Sequence, residues 1–153
     1  MTTRWRAFLL GTLAVGVLDL ADALVFFGLR GAQPVRILQS IAAGTLGRAA
    51  FTGGAATAAL GVGLHFTVAA IIVAVYMGVA SRVDVLARRP FVFGPAYGVV
   101  AYLVMNWVVV PLSATSPGAR SGPVLVNGLL IHILGVGLPA ALAARAAAAA
   151  GRP

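Results

Sequence analysis

The chain has 153 residues, of which 61% are hydrophobic and 9% charged, with 11 Lys+Arg, 3 Asp+Glu, no cysteine and a net charge of +8. Soluble domains carry roughly 25% charged residues, and a chain this short cannot bury so much apolar surface in its own core, so lipid is part of its solvent. The arginines stand singly or in pairs between apolar runs, as topology signals do, which argues against nucleic acid as a partner; the missing cysteines exclude disulfides, thiolate metal sites and cysteine nucleophiles.

The first apolar run covers about residues 7–29. Its basic start and Ala21-x-Ala23 resemble a signal peptide, but the apolar character continues through "LVFFGL" to Arg30, long enough to cross a bilayer as an uncleaved first helix. Residues 34–51, within "AQPVRILQSIAAGTLGRAAF", read as helical from Pro34 onward but carry Arg36 and Arg48. An amphipathic interfacial or re-entrant helix between the first two spans is expected there.

Three further spans follow, at about 55–80, 91–113 and 124–144. Gly53-Gly54 precedes the second, Pro95 is expected in the first turn of the third, and Pro111 and Pro123 bracket the loop after it. The Ala-rich "ALAARAAAAAGRP" extends the last helix. The predicted fold is thus an all-α integral membrane protein, a four-transmembrane-helix bundle forming a single domain over residues 1–153.

Four spans put both termini and the loop after span two on one side. That side holds Arg4, Arg6, Arg82, Arg88, Arg89, Arg145 and Arg152, and the other holds Arg30, Arg36, Arg48 and Arg120. The majority places both termini in the cytoplasm. Small residues at Gly94/Gly98, at Ala55/Ala59/Gly63 and at Gly135/Gly137 permit close helix approach. Packing of the chain against itself takes precedence over a homo-oligomer or a membrane-protein partner.

Polar groups recur at one depth. Asp19 and Asp22 are three apart and share a face of the first helix. Asp19 lies 11 residues before Arg30, roughly 16 Å along a helix. His65, Asn106 and His132 fall at a similar depth on the other spans, with Asn127 a little above His132. Intramembrane carboxylates must be protonated, paired or wetted. Arg36 or Arg48 is expected to reach Asp22 as a brace, which leaves the deeper Asp19 as the better candidate for a proton relay.

Asp19, Asp22, His65 and His132 are also candidate ligands for a divalent metal, and the two histidines for a haem, although no spacing signature marks either. Hydrogen bonding of each histidine to a neighbouring helix is the simpler role. Tyr76 reads as an interfacial anchor. Arg36, Gln39 and Arg48 suit an anionic lipid head group. No phosphate loop or nucleophile elbow is present, so an enzyme is disfavoured.

From about Leu64 to Gly135 the chain resembles the YagU-type family of bacterial inner-membrane proteins. The resemblance rests on "HF" at 65–66 followed by Tyr76, the Gly94/Gly98 pair, "VPL" at 110–112 with Pro117 soon after, and His132. It implies an inner-membrane location and supplies no activity or catalytic residue. The expected function is a non-enzymatic membrane protein with an intramembrane protonatable site that moves or senses protons or a small ion. The alternatives are an accessory subunit docking a protein or anionic lipid, and a metal- or haem-binding protein.

Overall fold

The computed structural model describes residues 3–115 and 121–149, and every regular element among them is helical. Helix α1 is Thr3–Gly28. Helix α2, Pro34–Leu46, opens with proline at its first position and runs on as a 3-10 stretch, Gly47–Thr52. Helix α3 is Gly54–Ala80, α4 the short Asp84–Arg88, α5 Pro90–Leu112 and α6 Gly122–Ala149.

Helices α1, α3, α5 and α6 are the four long and apolar enough to cross a membrane, with 26, 27, 23 and 28 residues. At about 1.5 Å per residue each exceeds the roughly 30 Å hydrocarbon core. They match the expected spans in number and order. Helix α5 begins earlier than expected. Arg89 is in a non-helical conformation, φ −122° and ψ 60°, as suits a residue before proline, so Pro90 starts the helix and Pro95 lies inside it. Pro111, expected to bracket the following loop, lies in the last turn of α5. Pro117, Arg120 and Arg152 lie outside the described residues.

Helix α6 packs against α1, α3 and α5. Its C-terminal half buries Ala140, Ala141, Ala143 and Ala144. A Cβ placed on Gly11 of α1 would lie 2.6 Å from that of Ala143, so only glycine lets the two helices close to this distance. Across the α5–α6 seam, a Cβ on Gly98 would strike the His132 carbonyl, and one on Gly137 would strike the Gly94 carbonyl. Backbone meets backbone there, as small-residue seams in membranes allow.

By contrast, the first part of α6, Gly122–Ile131, buries no residue. The helices are zipped where α1 begins and α6 ends, and part toward the α2 side. The parting leaves a cavity of about 560 Å³.

Two expectations about faces need correction. Ala55, Ala59 and Gly63 point outward, and the buried face of α3 carries Ala58, Gly61, Ala69 and Val73 instead. A Cβ on Gly61 would meet the Leu38 carbonyl of α2. Tyr76 is 3% exposed rather than interfacial. Its hydroxyl donates to the Leu86 carbonyl at 3.1 Å and its ring packs edge-on against Tyr97, whose own hydroxyl donates to the Ile72 carbonyl at 2.8 Å. A tyrosine with a carbonyl acceptor within reach has no need of the membrane surface.

Candidate functional site

Two local features of the backbone position the polar side chains of the cavity. The first is Gly16 on α1. A Cβ there would collide with the Phe66 ring, so glycine admits α3 closely enough for the neighbouring His65 to reach the α1 backbone. His65 Nε2 lies 2.9 Å from the Gly16 carbonyl oxygen.

The second feature is a pair of π-helical turns, Met105–Val109 in α5 and His132–Gly137 in α6. The amide of Val110 bonds to the Met105 carbonyl and that of Leu138 to the Ile133 carbonyl, each five residues back. Each turn ends two residues before a proline, Pro111 or Pro139. A proline ring crowds the carbonyl four residues back and removes a donor, and a wider turn relieves the crowding. Single π turns are frequent at functional sites, and these two carry Asn106 and His132.

The cavity is lined by Asp19, Asp22, His65, Asn106, Asn127, His132 and Tyr102, with Arg36 and Ser40 from α2. Its other walls are apolar and include Val15, Phe26, Phe27, Ile37, Val68 and Ile72. The polar groups foreseen on four separate spans thus face one space.

Asp19 Oδ2 is 4.0 Å from His65 Nδ1. A carbonyl only accepts, so His65 Nε2 must donate to Gly16, and that bond fixes the tautomer. Nδ1 then presents either a lone pair or, in the imidazolium, a second N–H toward the Asp19 carboxyl. With both groups deprotonated a lone pair would face an anion. The arrangement is complementary when one proton resides on the pair, as Asp19–COOH with neutral histidine or as carboxylate with imidazolium. His132 Nδ1 sits 2.8 Å from the Gly128 carbonyl, so by the same reasoning Nδ1 carries the hydrogen of that bond. Its ring meets that of Tyr102 edge-on at 5.5 Å.

Asp22 has a partner other than the expected arginine. Asn127 Nδ2 donates to Asp22 Oδ2 at 2.6 Å. Arg36 lines the cavity but turns outward, donating to the Phe51 carbonyl at 3.2 Å with its guanidinium 5.6 Å from the Phe51 ring centre. Arg48 is exposed and lies off the cavity lining. The reason is local. Phe51 sits on the stretch that follows α2 and offers Arg36 a carbonyl and a ring together, whereas Asn127 projects from the splayed start of α6 directly onto α1.

Gln39 also lies off the cavity. It is 3% exposed and donates to the Gly54 carbonyl at 3.1 Å and to Thr57 Oγ1 at 3.4 Å, holding α2 to the start of α3. It therefore cannot join Arg36 and Arg48 in an anion contact. Asn106 Nδ2 donates to the Tyr102 carbonyl at 2.8 Å.

Among the described residues no three His, Asp or Glu side chains converge as a metal site. His65 and His132 each hold one ring nitrogen on a backbone carbonyl of α1 or α6. His65 thus bonds a neighbouring helix, the simpler role expected of it, whereas His132 bonds one turn back within α6 itself.

Tyr102 and Asn127 carry more of the site than their sequence positions suggest. The Tyr102 hydroxyl donates to the Leu125 carbonyl at 3.2 Å, and the ring packs beside Gly128. The available signal was Gly128 itself, a small residue one turn before His132.

No protein-family model, curated protein or solved structure matches the chain.

Proposed function

We propose that this chain is a non-enzymatic multi-pass membrane protein that moves or senses protons or a small ion through the protonatable cavity between its helices. The observation that carries the reading is the facing of Asp19 and His65 across 4.0 Å with His65 Nε2 occupied by Gly16. A proton on that pair has two chemically distinct residences, which is the elementary requirement of a relay. His132 and Asp22 stand as its next neighbours.

The finer placement belongs to the same proposal. The chain resides in a bacterial inner membrane with both termini cytoplasmic, following the arginine majority and the resemblance to the YagU-type family. Helix α2 lies as an amphipathic segment at the opposite face, roofing the cavity. Ile37, Gln39, Ala42 and Ala43 are its buried positions, and Arg36 is exposed.

The test is reconstitution into liposomes with an internal pH dye and an imposed proton gradient. Wild-type protein is expected to collapse the gradient faster than empty liposomes, and Asp19→Asn to abolish the difference while accumulating and unfolding like wild type. If Asp19→Asn conducts normally, the relay reading fails.

A second reading, an accessory subunit that docks a protein partner or anionic lipid, is favoured by the outward-facing Ala55, Ala59 and Gly63 and by exposed Arg48. It predicts that cross-linking from these positions captures a defined neighbour, with Asp19 dispensable.

A further inference from the structure

A proton relay alone needs only a file of polar groups, and a bare ion only a close cage. This cavity has room for more. Its volume of about 560 Å³ falls within the roughly 300–1,000 Å³ range of organic-ligand sites. Most of its walls are apolar, with Val15, Val68 and Ile72 on one flank and the rings of Phe26, Phe27 and Tyr102 on others.

Acids outnumber fixed cations: among the described residues Asp19 and Asp22 line the cavity beside Arg36, whose guanidinium is held by Phe51. Asp22 is fixed by Asn127 through one oxygen. A site of these properties recognises a positive centre wrapped in apolar groups. The carboxylates supply charge complementarity in a medium of low dielectric, and the apolar walls take the substituents.

The geometry points to an amphipathic organic cation, a quaternary onium or a protonated lipophilic amine, as the occupant of this cavity, bound in exchange for the proton held by the Asp19–His65 pair. This rests on the protonatable-cavity reading and names its ligand. The exchange balances. The cation enters, the O–H bond of Asp19 or the Nδ1–H bond of the His65 imidazolium breaks, and one proton leaves to water. The groups facing Asp19 are Asp22 on its own helix, His65 on α3, His132 on α6 and, across the cavity, Tyr102 on α5 and Arg36 on α2.

The experiment uses the full chain in detergent micelles and two probes of one shape, tetraphenylphosphonium and tetraphenylborate. The phosphonium is expected to bind saturably, to release close to one proton per cation into weakly buffered solution, and to be displaced by acidification. The borate is expected not to compete. Asp22→Asn should weaken the phosphonium by about tenfold or more, as loss of a desolvated charge partner does. Ala23→Phe, which fills the cavity and keeps both acids, should abolish binding and serves if the acid variants fail to fold.

Equal binding of both probes, or phosphonium binding untouched by Asp22→Asn and Ala23→Phe, overturns the proposal, because partition into apolar surface explains either. Absence of phosphonium binding beside Asp19-dependent proton flux removes the organic cation and leaves the relay. Phosphonium binding without proton release overturns the exchange, and the relay is then decided by the Asp19-dependent flux alone.

Discussion

Asn127 and Asp22, 105 residues apart in the chain, are joined by a 2.6 Å hydrogen bond that ties the splayed start of α6 to α1. The pairing replaces the arginine brace that charge alone suggests, and it makes a quantitative prediction. Asn127→Leu leaves a carboxylate without its donor and should destabilise the protein by about 1–3 kcal/mol, read from denaturant unfolding in micelles. A double-mutant cycle between Asp22→Asn and Asn127→Leu should show coupling of at least about 0.5 kcal/mol, and one between Asp22→Asn and Arg48→Ala none. Coupling to Arg48 instead would mean that the brace forms after all.

The seam between α5 and α6 predicts a contrast between two glycines. Gly98→Ala forces a methyl group against the His132 carbonyl, which cannot rotate away, and should cost about 1–3 kcal/mol. Gly63→Ala meets nothing within 4 Å and should be neutral or stabilising by up to about 1 kcal/mol through helix propensity. Thermal melts followed by far-ultraviolet circular dichroism distinguish the two. Equal effects would place Gly63 in a seam of its own.

Gln39 predicts how firmly α2 is attached. Gln39→Leu keeps the volume but removes the bonds to the Gly54 carbonyl and Thr57, so amides of residues 35–46 should exchange with deuterium faster while α3 is little changed. Uniform loss of protection across both helices would mean that the residue supports the whole fold.

Pro139 predicts a change in the site at a distance. Pro139→Ala restores a donor for the carbonyl four residues back and removes the reason for the widened turn. Closing that turn rotates His132 away from Tyr102, so the ring resonances of His132 should lose the shift caused by the edge-on contact at 5.5 Å. Unchanged resonances would show that packing against Gly94 and Gly98 alone imposes the π turn.

The spans were legible because the bilayer sets a length, and α1, α3, α5 and α6 each satisfy it. The inward faces were not. In water the buried side of a helix is more apolar than the other, but in lipid both sides are apolar, so Ala55/Ala59/Gly63 and Ala58/Gly61 look alike in sequence and only packing separates them. The gathering of Asp19, Asp22, His65, Asn106 and His132 was readable because a polar group in a span must find others. Which partner each finds was not. Asn127 reaches Asp22 through the splay of α6, and the π turns that carry Asn106 and His132 are hidden because a proline near the end of a span reads as a terminator rather than as the cause of a widened turn.

The unequal closure of the two ends makes α6 a lever. Its C-terminal half is held by Ala and Gly contacts that have no rotamers to exchange, so that end is a fixed bearing. The His132–Gly137 turn sits at the fulcrum, and Gly122–Ile131 is the free arm. Over an arm of roughly 18 Å, a tilt of about 5° carries the tip by roughly 1.5 Å and Asn127, about halfway along, by roughly 0.8 Å, enough to stretch its bond to Asp22. A shift too small to disturb the seam is thereby magnified at the mouth, and the gap between α6 and α1 responds to whatever occupies the space beneath it.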